Sequence, residues 1–184
     1  MSDNNDPLAN GPADAHGAKR LLQAAIDQYP ELLVLRATCQ LPDNTANPVD
    51  LPIFPLRAEL TRRVDAFIAL RQSEGKPAPP TQVRTLWGRR SGAGMSLLLL
   101  LNQHSVYSIR HDPTLQSQIE ALHALIAQAW SSVIVQPAEL AGGGRPLSDT
   151  GWLHVARGDT ERYPSQYAAL LRQAMWLSPA RQGG

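Results

Sequence analysis

The apolar residues of this chain follow two patterns: one continuous block, and several stripes at helical spacing. The block is residues 97–101, five successive leucines between Gly92-Ala93-Gly94 and Asn102-Gln103-His104. A run this short suits a strand better than a helix. Apolar side chains at successive positions imply burial on both faces, so the strand is expected at the centre of a sheet. Glu31–Gln40 reads as another strand, with Leu32, Leu33, Val34, Leu35 and Thr38. Residues 82–90, with Val83, Leu86 and Trp87, read as a third. The Gly-containing turn at 91–94 would join it to the leucine strand as a hairpin. Residues 151–156 supply a short last strand.

The stripes predict helices. Leu21, Leu22, Ala25 and Ile26 share one face of a helix over 18–29, ended by Pro30. Over 55–72, Leu56, Leu60, Val64, Phe67 and Leu70 point inward. Arg57, Glu59, Arg62, Arg63 and Asp65 fall mostly on the solvated side. Asp112 is a natural N-cap and Pro113 a natural first-turn residue for a long helix carrying Leu115, Ile119, Leu122, Ile126, Trp130 and Val133. Pro164 opens a last helix with Tyr167, Leu170, Leu171, Ala174 and Met175 inward, and Pro179 stops it. Residues 1–17 have little to bury and are expected to be a disordered tail. Residues 18–178 form one domain, and 179–184 a flexible end. The order helix, strand, helix, strand, strand, helix, strand, helix predicts an α+β fold. Its antiparallel sheet carries helices packed on it, in a ferredoxin/RRM-like split βαβ topology.

Composition narrows the function classes. Of 184 residues, 43% are hydrophobic, which is enough for a proper core, and the net charge of +1 gives no whole-molecule attraction to nucleic acid. Any such surface must come from local segregation of charge. The single cysteine, Cys39, excludes an internal disulfide and a multi-cysteine metal site, and its apolar neighbours make it a small core residue. No apolar run reaches the ~18 residues of a membrane span, and the polar N-terminus is unlike a signal peptide. A cytoplasmic protein with no membrane partner is expected. No internal repeat is visible.

Charge does segregate along the chain. Between Glu74 and Asp112 there is no acidic residue, whereas Lys76, Arg84, Arg89, Arg90 and Arg110 all lie there. Arg89 and Arg90 flank a glycine-containing turn, where guanidinium and backbone can approach a phosphate. Trp87 or Trp152 could offer a stacking face to a base. Catalytic patterns are missing. His104, His111, His123 and His154 form neither His-x-His nor HExxH, and residues 88–94 do not meet the P-loop pattern. No GxSxG elbow is present.

Several segments, in order, resemble the inovirus-type replication proteins, including the YagK/YfjJ C-terminal type. They are Leu32-Leu33-Val34-Leu35-Arg36, Trp87 in the second strand, the leucine strand running into Asn102, and Trp130 near a helix end. Gly151-Trp152-Leu153-His154-Val155 and Trp176-Leu177-Ser178 complete the set. The resemblance implies the HUH endonuclease fold of rolling-circle initiators. There, a His-x-His pair and an acidic residue hold a divalent metal, and a tyrosine attacks a DNA phosphate. Paired imidazoles at alternate strand positions share one face and can fix the metal with open positions. Laid onto this chain, the His-x-His positions fall on Gly94 and Ser96, the acidic position on or near Arg90, and the nucleophile on Trp176. None of these can do that chemistry. The resemblance thus implies a catalytically dead initiator-like regulator of a mobile genetic element, such as a prophage or integrative conjugative element. It would bind DNA through Lys76, Arg84, Arg89, Arg90 and Arg110, with no metal and no cofactor. The alternative is a protein–protein interaction module in transcriptional control, as a homodimer or with a regulatory partner covering one apolar sheet face. A divergent active nickase using Tyr163 or Tyr167 is the third reading.

Overall fold

The computed structural model describes residues 10–12, 15–40, 51–90, 94–134 and 146–177. In chain order its elements are β1 (Asn10–Pro12), α1 (Ala15–Gln28), β2 (Glu31–Gln40), α2 (Ile53–Ser73) and β3 (Arg84–Arg90). Then follow β4 (Gly94–Asn102), α3 (Gln103–Val106), α4 (Leu115–Val133), β5 (Leu147–Ala156) and α5 (Tyr163–Leu177). The leucine run is the middle of β4, and every residue of that strand is buried. Its backbone is paired on both sides, with β2 from Leu32↔Asn102 to Gln40↔Gly94 and with β3 from Arg84↔Leu100 to Arg90↔Gly94. The sheet order is β1-β3-β4-β2-β5. Apart from β1, which runs parallel to β3, all neighbours are antiparallel. Without β1, that order and those directions are the split βαβ arrangement, and the fold is α+β.

Alternation along β4 divides its side chains between two cores. Met95, Leu97, Leu99 and Leu101, with Leu33, Leu35, Ala37 and Cys39 of β2, pack against α2 and α4. Leu98 and Leu100, with Leu32, Val34, Leu86 and Val155, pack against α1 and α5. Burying each such leucine is worth about 1.5–3 kcal/mol, so the all-apolar strand repays a layer of helices on either face. Both layers come from this chain. The apolar face that could have needed a partner subunit is covered by α1 and α5.

Several local expectations are corrected. The tail does not extend to residue 17: Asn10–Pro12 pair with Thr85, Leu86 and Trp87, and α1 begins at Ala15. The open edge of β3 supplies unpaired backbone groups for a short segment that has no apolar signal of its own. The inward stripe of α2 is Leu56, Leu60, Val64, Ile68 and Arg71, whereas Leu70 is 58% exposed. Steps of four followed by three keep a stripe under one sheet, and they reach Arg71 instead of Leu70. Thr114, not Asp112, caps α4, its hydroxyl accepting from the Ser117 N–H at 3.0 Å. In α5, Leu170, Ala174 and Leu177 are buried and Met175 is 67% exposed. β3 starts at Arg84 and β5 at Leu147, both displaced from the expected starts. β5 contains an irregularity opposite Ala37, where Asp149 takes a positive φ of 48° and its carbonyl accepts from Arg36 Nε at 3.2 Å. An aspartate tolerates that left-handed geometry better than most side chains. The expected turn at 91–93, the loop at 136–145 and the C-terminal end at 179–184 lie outside the described residues.

Candidate nucleic-acid interface

The sheet has two ends. At one, β2 starts, β4 stops and β3 starts; at the other, β3 and β4 meet in their hairpin. The five predicted cations do not gather at either. Arg84 is buried, and its guanidinium donates to the Gln28 side chain at the end of α1. It is thus engaged inside the protein, between β3 and α1. Lys76 is held by Glu74 at 2.9 Å and by Asp112 at 3.5 Å. Arg110 is exposed in the turn after α3, at the same end as these two. Arg89 and Arg90 close β3 at the opposite end, opposite Met95 and Gly94. Six strand steps, about 20 Å, separate Arg84 from Arg90. The side chains of Arg89 and Arg90 lie outside the described residues, as does that of Trp176.

The aromatic candidates also part company. Trp87 is half-buried against the α2/α4 core. Trp152 is 40% exposed on β5, beside an open groove whose other wall is Gln116, Glu120 and His123 of α4. His123 is not free there. Its Nε2–H donates to the carbonyls of Arg36 and Gly151, both at 3.2 Å, tying α4 to β2 and β5. Burial lowers its pKa against the opposing effect of those two hydrogen bonds, so the ring is held neutral.

Gly94 and Ser96 share one face of β4, the one under α1 and α5, and both are buried. Ser96 pairs with Gly88, and a Cβ on Gly88 would overlap the backbone carbonyl of Leu177. The last turn of α5 therefore lies directly on the sheet beside Ser96. Two of the four positions singled out by the resemblance, Gly94 and Ser96, are brought to one place, with backbone where a cleft would be needed. Tyr163 and Tyr167, at the start of α5, stack on each other at 5.9 Å, and both pack against the α1/α5 core. Burial raises the Tyr163 phenol above its ordinary value, which makes it a poorer nucleophile. Burial likewise pushes the Cys39 thiol up to about 12. Among the described residues, no three His, Cys, Asp or Glu side chains are grouped to hold a metal ion.

Two polar clusters escaped the sequence. Arg71 donates to both carboxylate oxygens of Asp112 at 2.8 Å, and the pair is buried. Asp112 also accepts from the Ser108 N–H at 2.8 Å. Burial raises its carboxyl and the hydrogen bonds from Arg71 and Ser108 outweigh it, leaving the pKa below the ordinary 3.8. An arginine on the apolar stripe of α2 was the available signal. The second cluster surrounds Glu31, whose Oε2 lies 3.2 Å from Gln103 Nε2, 3.5 Å from His154 Nε2 and 3.9 Å from His104 Nε2. No local spacing announces it, because its members come from β2, α3 and β5.

The described fold is thus an α/β/α sandwich built on a split βαβ sheet. Among its described residues no helix is long and apolar enough to cross a membrane. The chain belongs to the family described as uncharacterised conserved protein UCP030791, whose model matches residues 10–141, from β1 through the end of α4. No curated protein and no solved structure matches it.

Proposed function

We propose that this protein is a non-catalytic, replication-initiator-like regulator of a mobile genetic element that works by binding DNA. The observation that carries the reading is the contact of Leu177 with Gly88 beside Ser96. Nuclease chemistry of the resembled type needs an open sheet face with imidazoles and a nearby phenol. Here that face holds glycine and serine and is closed by the end of α5. The covering of both sheet faces by this chain's own helices argues against the interaction-module reading in its simplest form. A partner-covered leucine strand is not needed to complete the core. The cytoplasm is the compartment this role requires.

Two measurements test the reading. Purified protein with Mn²⁺ or Mg²⁺ should leave single-stranded and supercoiled DNA uncut, with no covalent adduct by mass spectrometry. A tyrosine-linked adduct would overturn the non-catalytic assignment and move the chemistry to Tyr163 or Tyr167. In fluorescence anisotropy at low ionic strength, labelled DNA should bind. Absence of salt-dependent binding would remove DNA from the proposal and leave the interaction module, with a protein partner or a second copy, in its place.

A further inference from the structure

We infer that the α1–α5 layer, at the hairpin end of the sheet, is a docking face for the phosphate backbone of duplex nucleic acid. The inference rests on the DNA-binding reading and names its surface, which differs from the set of cations expected from the sequence.

The two helices run antiparallel across the same face. α1 starts just after Pro12, which pairs with Trp87 in the hairpin half of β3, and its last residue, Gln28, reaches Arg84 at the other end. α5 starts just after β5 ends, where the Gln166 side chain accepts from the Ala156 N–H at 2.9 Å, and it stops on Gly88. The first half of α1 and the last half of α5 therefore lie at one end.

Charge is distributed unevenly between the ends of this layer. At the end away from the hairpin, acids and bases answer each other: Arg157 lies 3.8 Å from Asp27, and Arg162 lies 3.9 Å from Asp159. At the hairpin end, Lys19, Arg20 and Arg172 are exposed. α1 has no acidic residue before Asp27, and α5 has none. None of these three cations forms an ion pair among the described residues. The contrast with α2 is direct, since Arg62 and Arg63 both bind Glu59 at 2.6 Å. By strand register, β3 brings the Arg89–Arg90 positions to the same end. Cations on ordered helices, with no ion-pair partner among the described residues, are suited to a polyanion.

The choice of duplex follows from what stands next to these cations. Two aromatics are exposed among the described side chains: Phe54, 82% exposed at the start of α2, and Trp152 on β5, with β2 and β4 between it and β3. Both belong to the α2/α4 side of the sheet, Phe54 as part of α2 and Trp152 because it pairs with Leu35. Among the described side chains, no exposed aromatic stands on the α1–α5 layer to stack on an unpaired base. Contact there is with phosphates, which position a duplex and read no sequence.

The test uses the full chain, a labelled duplex and a single strand of the same length, over a range of salt. Lys19→Ala/Arg20→Ala/Arg172→Ala should lower the magnitude of the log–log salt slope for duplex by about 2.7, at ~0.9 per phosphate contact. The charge-matched control Arg62→Ala/Arg157→Ala/Arg162→Ala should keep the wild-type slope, and circular dichroism should show both variants folded. If the wild type binds but the two triple variants lose slope equally, or neither does, this surface is wrong while DNA binding stands. If the wild type itself does not bind, the DNA-binding reading fails and takes this inference with it. Single strand retained to higher salt than duplex would overturn the choice of duplex.

Discussion

The two ends of the sheet treat charge in opposite ways. Where β2 begins, charged groups meet partners within the protein: Arg71 grips Asp112, Arg84 reaches Gln28, and Glu31 is ringed by Gln103, His154 and His104. Where β3 meets β4, the interior is made of small residues, Gly88, Gly94, Ser96 and Thr38, and α5 lies on the strand with backbone in contact. Cations at that end stay outside, on α1 and α5. The difference teaches that a basic residue in the sequence is uninformative until its partner is known. Two of the cations expected at a phosphate, Lys76 and Arg84, are engaged within the protein, as is Arg71.

The comparison breaks most easily at the buried ion pair. Asp112→Ala leaves Arg71 buried without a counter-charge and should cost about 3–5 kcal/mol in urea unfolding. Arg71→Met combined with Asp112→Ala should recover part of that loss, because no unpaired charge then remains. If Asp112→Ala is neutral, the inward-turned end is not held by this pair.

The hairpin end should fail by crowding instead. Gly88→Ala places a methyl group against the Leu177 carbonyl, and backbone cannot yield as a side-chain tip does. A loss of about 1–3 kcal/mol is expected, with faster amide exchange in the last turn of α5. Gly158→Ala, which meets nothing within 4 Å, serves as the control and should be neutral or slightly stabilising. Equal effects of the two substitutions would mean that α5 does not close on Gly88.

A smaller, pH-dependent effect should come from His123, which lies between the ends. Its folded pKa is below the ordinary 6.5, so the unfolded chain binds the proton more readily. The stability contributed is complete above 6.5 and is lost as pH falls toward the depressed value. The urea midpoint of the wild type should therefore decline below pH 6.5 more steeply than that of His123→Gln. The Asp112 carboxyl, also depressed, adds a separate loss only below its ordinary 3.8. Parallel pH profiles for wild type and variant would show that His123 is not held neutral.

The smallest change is expected at Leu70. Leu70→Ser removes an exposed side chain beside the buried Arg71 and should shift stability by no more than about 0.5 kcal/mol. A large loss would restore Leu70 to the core and displace Arg71 from it.

Periodicity is a local property, and what depended on it was legible in the chain. The shortness of the leucine run favoured a doubly buried strand, the spacing of Ile119, Leu122, Ile126 and Trp130 marked a helix face, and the glycine turn after Arg90 marked a hairpin. From these the α+β class and the split βαβ order followed. Partners are not local. Arg71 and Asp112 are 41 residues apart, and nothing near Asp112 distinguishes a buried counter-ion from a helix cap. β1 is a strand only because β3 has an edge to offer, and the second face of β4 is covered only because α1 and α5 fold back over it. The same holds for the candidate interface. Arg172 is far from Lys19 and Arg20 in the chain, and only the antiparallel packing of two helices puts them at one end. The apolar pattern fixes which face of each element is buried, because hydrophobic burial needs no particular partner. Ion pairs and hydrogen bonds need a specific group at a specific place, and only the assembled fold provides it.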